Sequence, residues 1–354
     1  PRRRRPAALR SPFVAAPETD GMTFRDGTLV DWHEWGPEAF EAAERAGKPV
    51  LCSLTAPWCA WCDRMDEESY GDPKLAANIG ESFVPVRVDV DRHPRVRERY
   101  NMGGFPTTVF LTPAGEVLSG ATYLGPDGLR QVLDGVRGSW DAKGSAAGRV
   151  PRSVSGDDRP AGEVTADVEA HMVEQVAAAF DEEYGGWGTD AKFPLARTVE
   201  FALKRDRDRA TRTLEAVRTH LFDTYDGGFY RFAETRRWGE PHREKLVDEN
   251  AALLRAFAAG YLYTGEDAYR ETAERTAEYL TTTAWSDDAF AASQAASDYY
   301  TLEPTEREDA DPPHVDPTVL ADRNGIAADA LFRFAALADH EGAQRHAERA
   351  LETV

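Results

Sequence analysis

Cys59-Ala60-Trp61-Cys62 places two thiols one helical turn apart, and with Cys52 they are the only cysteines in the 354-residue chain. Three cysteines within eleven residues do not make the framework of a secreted disulfide scaffold. Zinc would need two further ligands at suitable spacing, and neither a second Cys pair nor a nearby His pair exists to complete a tetrahedron. No metal and no cofactor are expected. Thiol–disulfide exchange remains, because two neighbouring thiols carry it out by themselves.

The flanking elements decide whether such a pair is reactive. Upstream, Pro49-Val50-Leu51-Cys52-Ser53-Leu54 is a short apolar run that predicts a buried strand. Downstream, residues 63–70 contain no Gly or Pro and predict a helix. A strand, a short loop and a Cys-x-x-Cys pair opening a helix set the first thiol against unpaired N–H groups and the positive end of the helix, which favours thiolate. Cys59 is the expected nucleophile. Cys62, one turn inside, would resolve the mixed disulfide that Cys59 forms, while Cys52 in mid-strand reads as a core thiol. The competing reading is a degenerate, redox-silent version of the same arrangement.

Ala56-Pro57-Trp58-Cys59-Ala60-Trp61-Cys62, followed after an intervening strand (83–91) and short helix (96–100) by Gly104-Phe105-Pro106-Thr107-Thr108-Val109-Phe110, resembles a thioredoxin-fold domain. The resemblance implies that Pro106 is a cis-proline facing the cysteines and that Trp58, Trp61, Phe105 and Thr107 support the site. It also implies a hairpin at 107–111 and 116–119 and a closing helix at 126–136. Thioredoxins commonly carry a buried carboxylate six residues before the first cysteine, and here that position is Ser53. Serine is no base near neutral pH, so slower resolution is expected unless Asp63 or Asp66 takes the role.

Residues 138–162 turn to Gly, Ser, Pro, Asp and Arg without apolar periodicity, which predicts a linker. The expected division is a disordered basic tail at 1–22, a thioredoxin-like α/β domain at 23–138, a linker at 139–162 and an all-α domain at 163–354. Helical spacing recurs at 164–180, 194–205, 208–222, 246–263, 268–283, 318–337 and 342–354, with strand signals almost absent. Phe180-Asp181-Glu182-Glu183-Tyr184-Gly185-Gly186-Trp187 and Phe222-Asp223-Thr224-Tyr225-Asp226-Gly227-Gly228-Phe229 are near copies 42 residues apart, the length of one helical hairpin. Trp285-Ser286-Asp287-Asp288-Ala289-Phe290 reads as a third copy without glycines.

Such hairpins resemble the α/α toroids of six-hairpin glycosidases and sugar epimerases. Gly185-Gly186-Trp187-Gly188 leading into Ala191-Lys192-Phe193-Pro194, and Pro241-His242-Arg243-Glu244-Lys245 leading into Asn250-Ala251, are similar to the spermatogenesis-associated thioredoxin-like family, which joins a thioredoxin domain to an (α/α)6 toroid related to the N-acylglucosamine epimerases. Seven or eight helices against the twelve of a closed ring imply a partial or shortened toroid. The chain departs from the family pattern at Ala60, Asp63, Asp248, Glu249, Ala295 to Ser297 and Arg323.

His242, Lys245 and Glu249 stand at i, i+3 and i+7 of an expected helix beginning at Pro241, and with Lys192 and Glu244 they form the candidate pocket of the helical half. The alternative is a structural polar helix start. Trp187, Phe229, Tyr230 and Trp238 either line a cleft or pack the loops.

The formal charge of −20, with only six lysines among 42 basic residues, resembles halophile surfaces and argues against a nucleic-acid partner. Arg2 to Arg5 precede no apolar run of signal length, and no segment is apolar enough to span a bilayer, so a cytoplasmic protein without membrane partners is expected. Three functions fit. The first is a thiol-disulfide oxidoreductase acting on protein disulfides or with a thiol reductant; the second, a carbohydrate-active or epimerase-like toroid with a vestigial thioredoxin domain; the third, a non-enzymatic folding or quality-control scaffold.

Overall fold

Residues 27–151, 162–163 and 165–354 are described by the computed structural model, so the expected tail and part of the expected linker lie outside the described residues. The first half runs β1 (His33–Glu34), α1 (Pro37–Ala46), β2 (Val50–Thr55), α2 (Ala60–Met65) continuing as a π-helical turn over Asp66–Tyr70, α3 (Pro73–Ser82), β3 (Val84–Asp89), α4 (Pro94–Tyr100), β4 (Thr107–Leu111), β5 (Val117–Ala121) and α5 (Pro126–Lys143). The five strands form one sheet in the order β1-β3-β2-β4-β5, with β1, β3 and β2 parallel and β4 and β5 antiparallel.

Helices cover both faces of this sheet, so β2 and β3 are buried at every residue, the polar Ser53, Thr55, Arg87 and Asp89 included. Val50, Cys52 and Leu54 point to one face with Ala39 and Ala43 of α1 and Val96 and Tyr100 of α4. Leu51 points to the other, with Leu75 and Ile79 of α3 and Leu129, Leu133 and Val136 of α5. The order and packing are those of a thioredoxin-like fold.

The linker begins later than composition suggested. Helix α5 runs to Lys143, the indole of Trp140 donates to the Gly47 carbonyl at 3.0 Å, and Arg149 pairs antiparallel with Val117. Gly138, where the expected linker begins, faces open space where a helix loses only propensity.

The second half contains α6 (Ala166–Ala178), α7 (Ala196–Leu203), α8 (Arg207–His220), β6 (Phe232–Ala233), β7 (Pro241–His242), β8 (Lys245–Leu246), α9 (Val247–Thr264), α10 (Asp267–Thr281), β9 (Trp285–Ser286), β10 (Ala289–Phe290), β11 (Ser293–Gln294), α11 (Pro304–Arg307), β12 (Val315–Asp316), α12 (Ala321–Ala338) and α13 (Glu341–Thr353). Helix α9 packs against α7, α10 and α12 around a core rich in Ala, Leu and Phe. This is a domain of helical hairpins.

The repeated loops close alike. Phe180 pairs with Trp187, Phe222 with Phe229, and Trp285 with Phe290. Gly227 and Gly228 have φ of 76° and 72°; in the third copy Asp287 and Asp288 take φ of 50° and 64°, so aspartate supplies the left-handed turn where glycine is missing. The strands of this half are two residues each, too short to leave an alternating pattern in the sequence.

Candidate redox site

Cys59 is the N-cap of α2: its backbone is extended and its Sγ accepts the Cys62 N–H at 3.1 Å. Cys59 and Cys62 are joined by a disulfide, and both are buried. The Phe105–Pro106 peptide is cis. Phe105 packs edge-to-face on Trp58, with ring centroids 5.8 Å apart, which ties the proline loop to the residue before the nucleophile. Thr107 tightens that loop by donating to the Gly104 carbonyl at 2.7 Å and accepting from the Met102 N–H at 3.2 Å. Trp61 is 40% exposed and lies against Tyr123 and the Arg64 guanidinium.

Cys52 is fully buried, and burial pushes its thiol pKa up. Ser53 lies opposite Arg87 across the β2–β3 ladder, and Arg87 pairs with Asp66 in a buried ion pair. Asp66 follows Cys62 by one helical turn. Burial raises its pKa, with Arg87 opposing. Asp66, on the helix, is thus linked through Arg87 to the strand position that Ser53 occupies. Asp63 is in the first turn of α2.

The helical domain closes over one side of this site, and the sequence reading did not foresee it. Trp58 Nε1 donates to Asp91 Oδ2 at 2.8 Å, and the other Asp91 oxygen accepts from Arg323 of α12. Arg231 places its guanidinium carbon 4.3 Å from the Trp58 ring centroid. Leu246 of β8 enters the core cluster that contains Cys59 and Cys62. Burial raises Asp91 to about 6 despite Arg323, and burial likewise pushes Glu249 up to about 8. Asp248, Glu249 and Arg323, three of the departures noted in the sequence, meet here: Arg323 Nε lies 3.8 Å from Asp248, and Arg231 Nε 3.8 Å from Glu249.

The expected pocket of the helical half is not assembled as predicted. His242 and Lys245 are on strands β7 and β8, because Pro241 and His242 pair with β6 and Lys245 pairs with Gln294; only Glu249 is on a helix. Lys192 is fully buried and donates to Asp181 and to the Gly188 carbonyl, while Lys245 donates to Asp223 and to the Gly227 carbonyl. Both lysines thus pin the glycine loops. His242 bonds Glu234 at 2.7 Å and faces Glu244; burial disfavours its charge, but the two carboxylates outweigh that and raise its pKa. Glu244 is lowered despite burial, by His242 and Arg231. Trp187, Phe229, Tyr230 and Trp238 are buried and pack the loops. Glu249 borders a cavity of about 250 Å3 lined by Phe193, Pro194, Thr198 and Leu253, with neither Lys192 nor Lys245 in its lining.

Asn250 and Asn324 hold the loops in a way that the motifs containing them do not reveal. Each accepts from the backbone N–H of the loop aromatic, Phe229 at 2.6 Å and Phe290 at 2.8 Å, and each donates back to the carbonyl of that same residue and to that of a leucine four residues earlier. The shared Leu-x-x-x-Asn spacing was the available signal. Among the described residues no group of His, Cys, Asp and Glu is placed to hold a metal ion, and no helix is long and apolar enough to cross a membrane.

Residues 23–154 match the family model Thioredox_DsbH, described as a protein of unknown function, DUF255. Spermatogenesis-associated protein 20 of Homo sapiens is 30% identical over 288 residues, which make up 71% of this chain and 37% of that protein. The chain thus spans little more than a third of the length of the first curated relatives it matches. Thiol:disulfide interchange protein DsbD 1 of Pseudomonas aeruginosa is 32% identical over 91 residues, 25% of this chain and 15% of that protein. Among solved structures, cellobiose 2-epimerase from Spirochaeta thermophila is similar with a TM-score of 0.40 and 15% identity, covering 52% of this chain and 53% of that one.

Proposed function

We propose that this chain, with its thioredoxin-like domain and its resemblance to the spermatogenesis-associated thioredoxin-like proteins, is a thiol–disulfide oxidoreductase whose reacting groups are Cys59 and Cys62. The observation that carries the reading is the Cys59–Cys62 disulfide at the start of α2, with Cys59 Sγ accepting the Cys62 N–H. In the reducing direction the Cys59 thiolate attacks one sulfur of a substrate disulfide, forming a mixed disulfide and releasing the first substrate thiolate, which takes up a proton. Cys62 gives up its proton and attacks Cys59 Sγ, which closes the Cys59–Cys62 bond and releases the second substrate thiol. Two electrons pass from the dithiol to the substrate, and a dithiol reductant restores the enzyme. Pro106 and the neighbouring backbone offer the edge on which a substrate strand docks, and the helical domain serves to bind a partner or ligand.

An insulin-reduction assay tests this. The native chain is expected to turn over with a dithiol reductant and the Cys59→Ser variant to lose turnover, while Cys62→Ser should accumulate mixed disulfides with its substrates. Equal rates for native and Cys59→Ser protein overturn the reading.

A further inference from the structure

Trp58 is the residue before the nucleophile, and its ring is held from three directions. Phe105 supports one edge from the proline loop. Asp91 takes the indole N–H, and the same carboxylate is anchored by Arg323, which also donates to the Ala292 carbonyl at 2.8 Å. Arg231 covers the ring face and is steadied by Glu244 at 3.2 Å. Two of the three supports reach back to the helical domain. A cation on an indole face and a hydrogen bond shared through one buried carboxylate both depend strongly on geometry, so Trp58 cannot shift without breaking them. The loop from Ala56 to Cys59 is a tight turn, with the Cys59 N–H donating to the Ala56 carbonyl at 3.1 Å, and any movement of Trp58 therefore moves the Cys59 sulfur off the Cys62 N–H.

We infer that Arg231 and Arg323 are positioning residues of the redox pair: the helical domain, acting through Trp58 and Asp91, holds Cys59 where its sulfur meets the Cys62 N–H. The inference rests on the thiol–disulfide reading above and gives the helical domain a part in that chemistry. Its consequence has a definite sign. A donor aimed at the sulfur stabilises the thiolate, hence the reduced protein, and makes the disulfide easier to reduce. Releasing the loop therefore slows Cys59 as a nucleophile and favours the disulfide.

The test uses the full chain with Arg231→Gln, Arg323→Gln, both together, and the conservative Arg231→Lys. In the Cys62→Ser background, the pH profile of Cys59 alkylation by iodoacetamide is expected to move to higher pH in the glutamine variants, with the rate at pH 7 falling about tenfold. Arg231→Lys, which keeps the cation on the ring, should recover most of the rate. With both cysteines present, the equilibrium constant for oxidation by glutathione disulfide should rise about tenfold in the double variant. A double variant with the native alkylation profile and equilibrium constant overturns the inference, whatever its melting temperature; if it does not fold, the single variants decide by the same readouts. Failure of the native chain to form the Cys59–Cys62 disulfide in glutathione buffers instead overturns the thiol–disulfide reading itself.

Discussion

Cys52 and Cys59 are the same side chain seven residues apart, and only their surroundings separate them. Cys52 is in mid-strand, fully buried, with burial raising its thiol pKa; Cys59 caps a helix beside a backbone donor. Brief alkylation of the reduced native protein at neutral pH should label Cys59 and leave Cys52 untouched until urea is added, as peptide mass spectrometry would read. Ser53 stands where ordinary thioredoxins carry a strand carboxylate, and Asp66, paired with the Arg87 that faces Ser53, is the candidate for its role. Asp66→Asn removes the carboxylate that pairs with the buried Arg87 and is expected to cost about 1–3 kcal/mol in urea unfolding. The same variant should prolong the lifetime of the mixed disulfide, because Asp66 is one turn from Cys62; an unchanged lifetime in quench-flow would return the missing base to Asp63 or to solvent. The Cys pair, its caps and its proline were legible in the sequence because each is a local pattern. The Arg87–Asp66 pair was not, since β3 and the π-helical turn meet only after folding.

The element that organises the helical half is a loop with a buried lysine beneath it. Asp181 accepts from Lys192 and, bidentately, from Arg236; Asp223 accepts from Lys245 and Arg307. Each lysine has one acidic partner and a glycine-loop carbonyl, while each aspartate has a second cation in reserve. Truncating the acid should therefore hurt more than truncating the lysine. Asp223→Ala strands Lys245 in the core and is expected to cost about 3–5 kcal/mol by urea denaturation, whereas Lys245→Met leaves Asp223 paired with Arg307 and should cost clearly less. Equal losses would mean that the arginine does not compensate. The glycine repeat was readable from sequence because two near copies expose it. In the sequence the lysines look like pocket residues because a buried ion pair and a ligand-binding lysine use the same side chain, and only the fold says which. The predicted helix from Pro241 failed for a related reason: proline fits the first turn of a helix, but it fits the edge of a hairpin as well, and pairing with β6 prevailed.

On the scale of the whole molecule, a charge of −20 means that many carboxylates have no cation to meet, and screening their repulsion should raise the unfolding midpoint as salt is added. The junction between the domains adds a dependence on pH, carried by the buried Asp91 and the half-buried Glu249. Glu249 is raised by burial to about 8 and Asp91 to about 6, against roughly 4 for both in an unfolded chain. Between pH 4 and 8 the folded protein thus binds more protons than the unfolded one, and stability must fall as pH rises, first through the Asp91 window and then through that of Glu249. Carboxylates held low, such as Asp223 and Glu244, act in the opposite sense, but only on acidification below their unfolded values. Urea midpoints at fixed salt should therefore decline from pH 5 to pH 8.5 in the native chain. Glu249→Gln keeps the shape and removes the proton, so its decline between pH 6 and 8.5 should be shallower than that of the native chain, the remainder coming from His242, whose pKa is raised as well; a native-like slope between pH 6 and 8.5 in that variant would show that the junction does not hold Glu249 protonated.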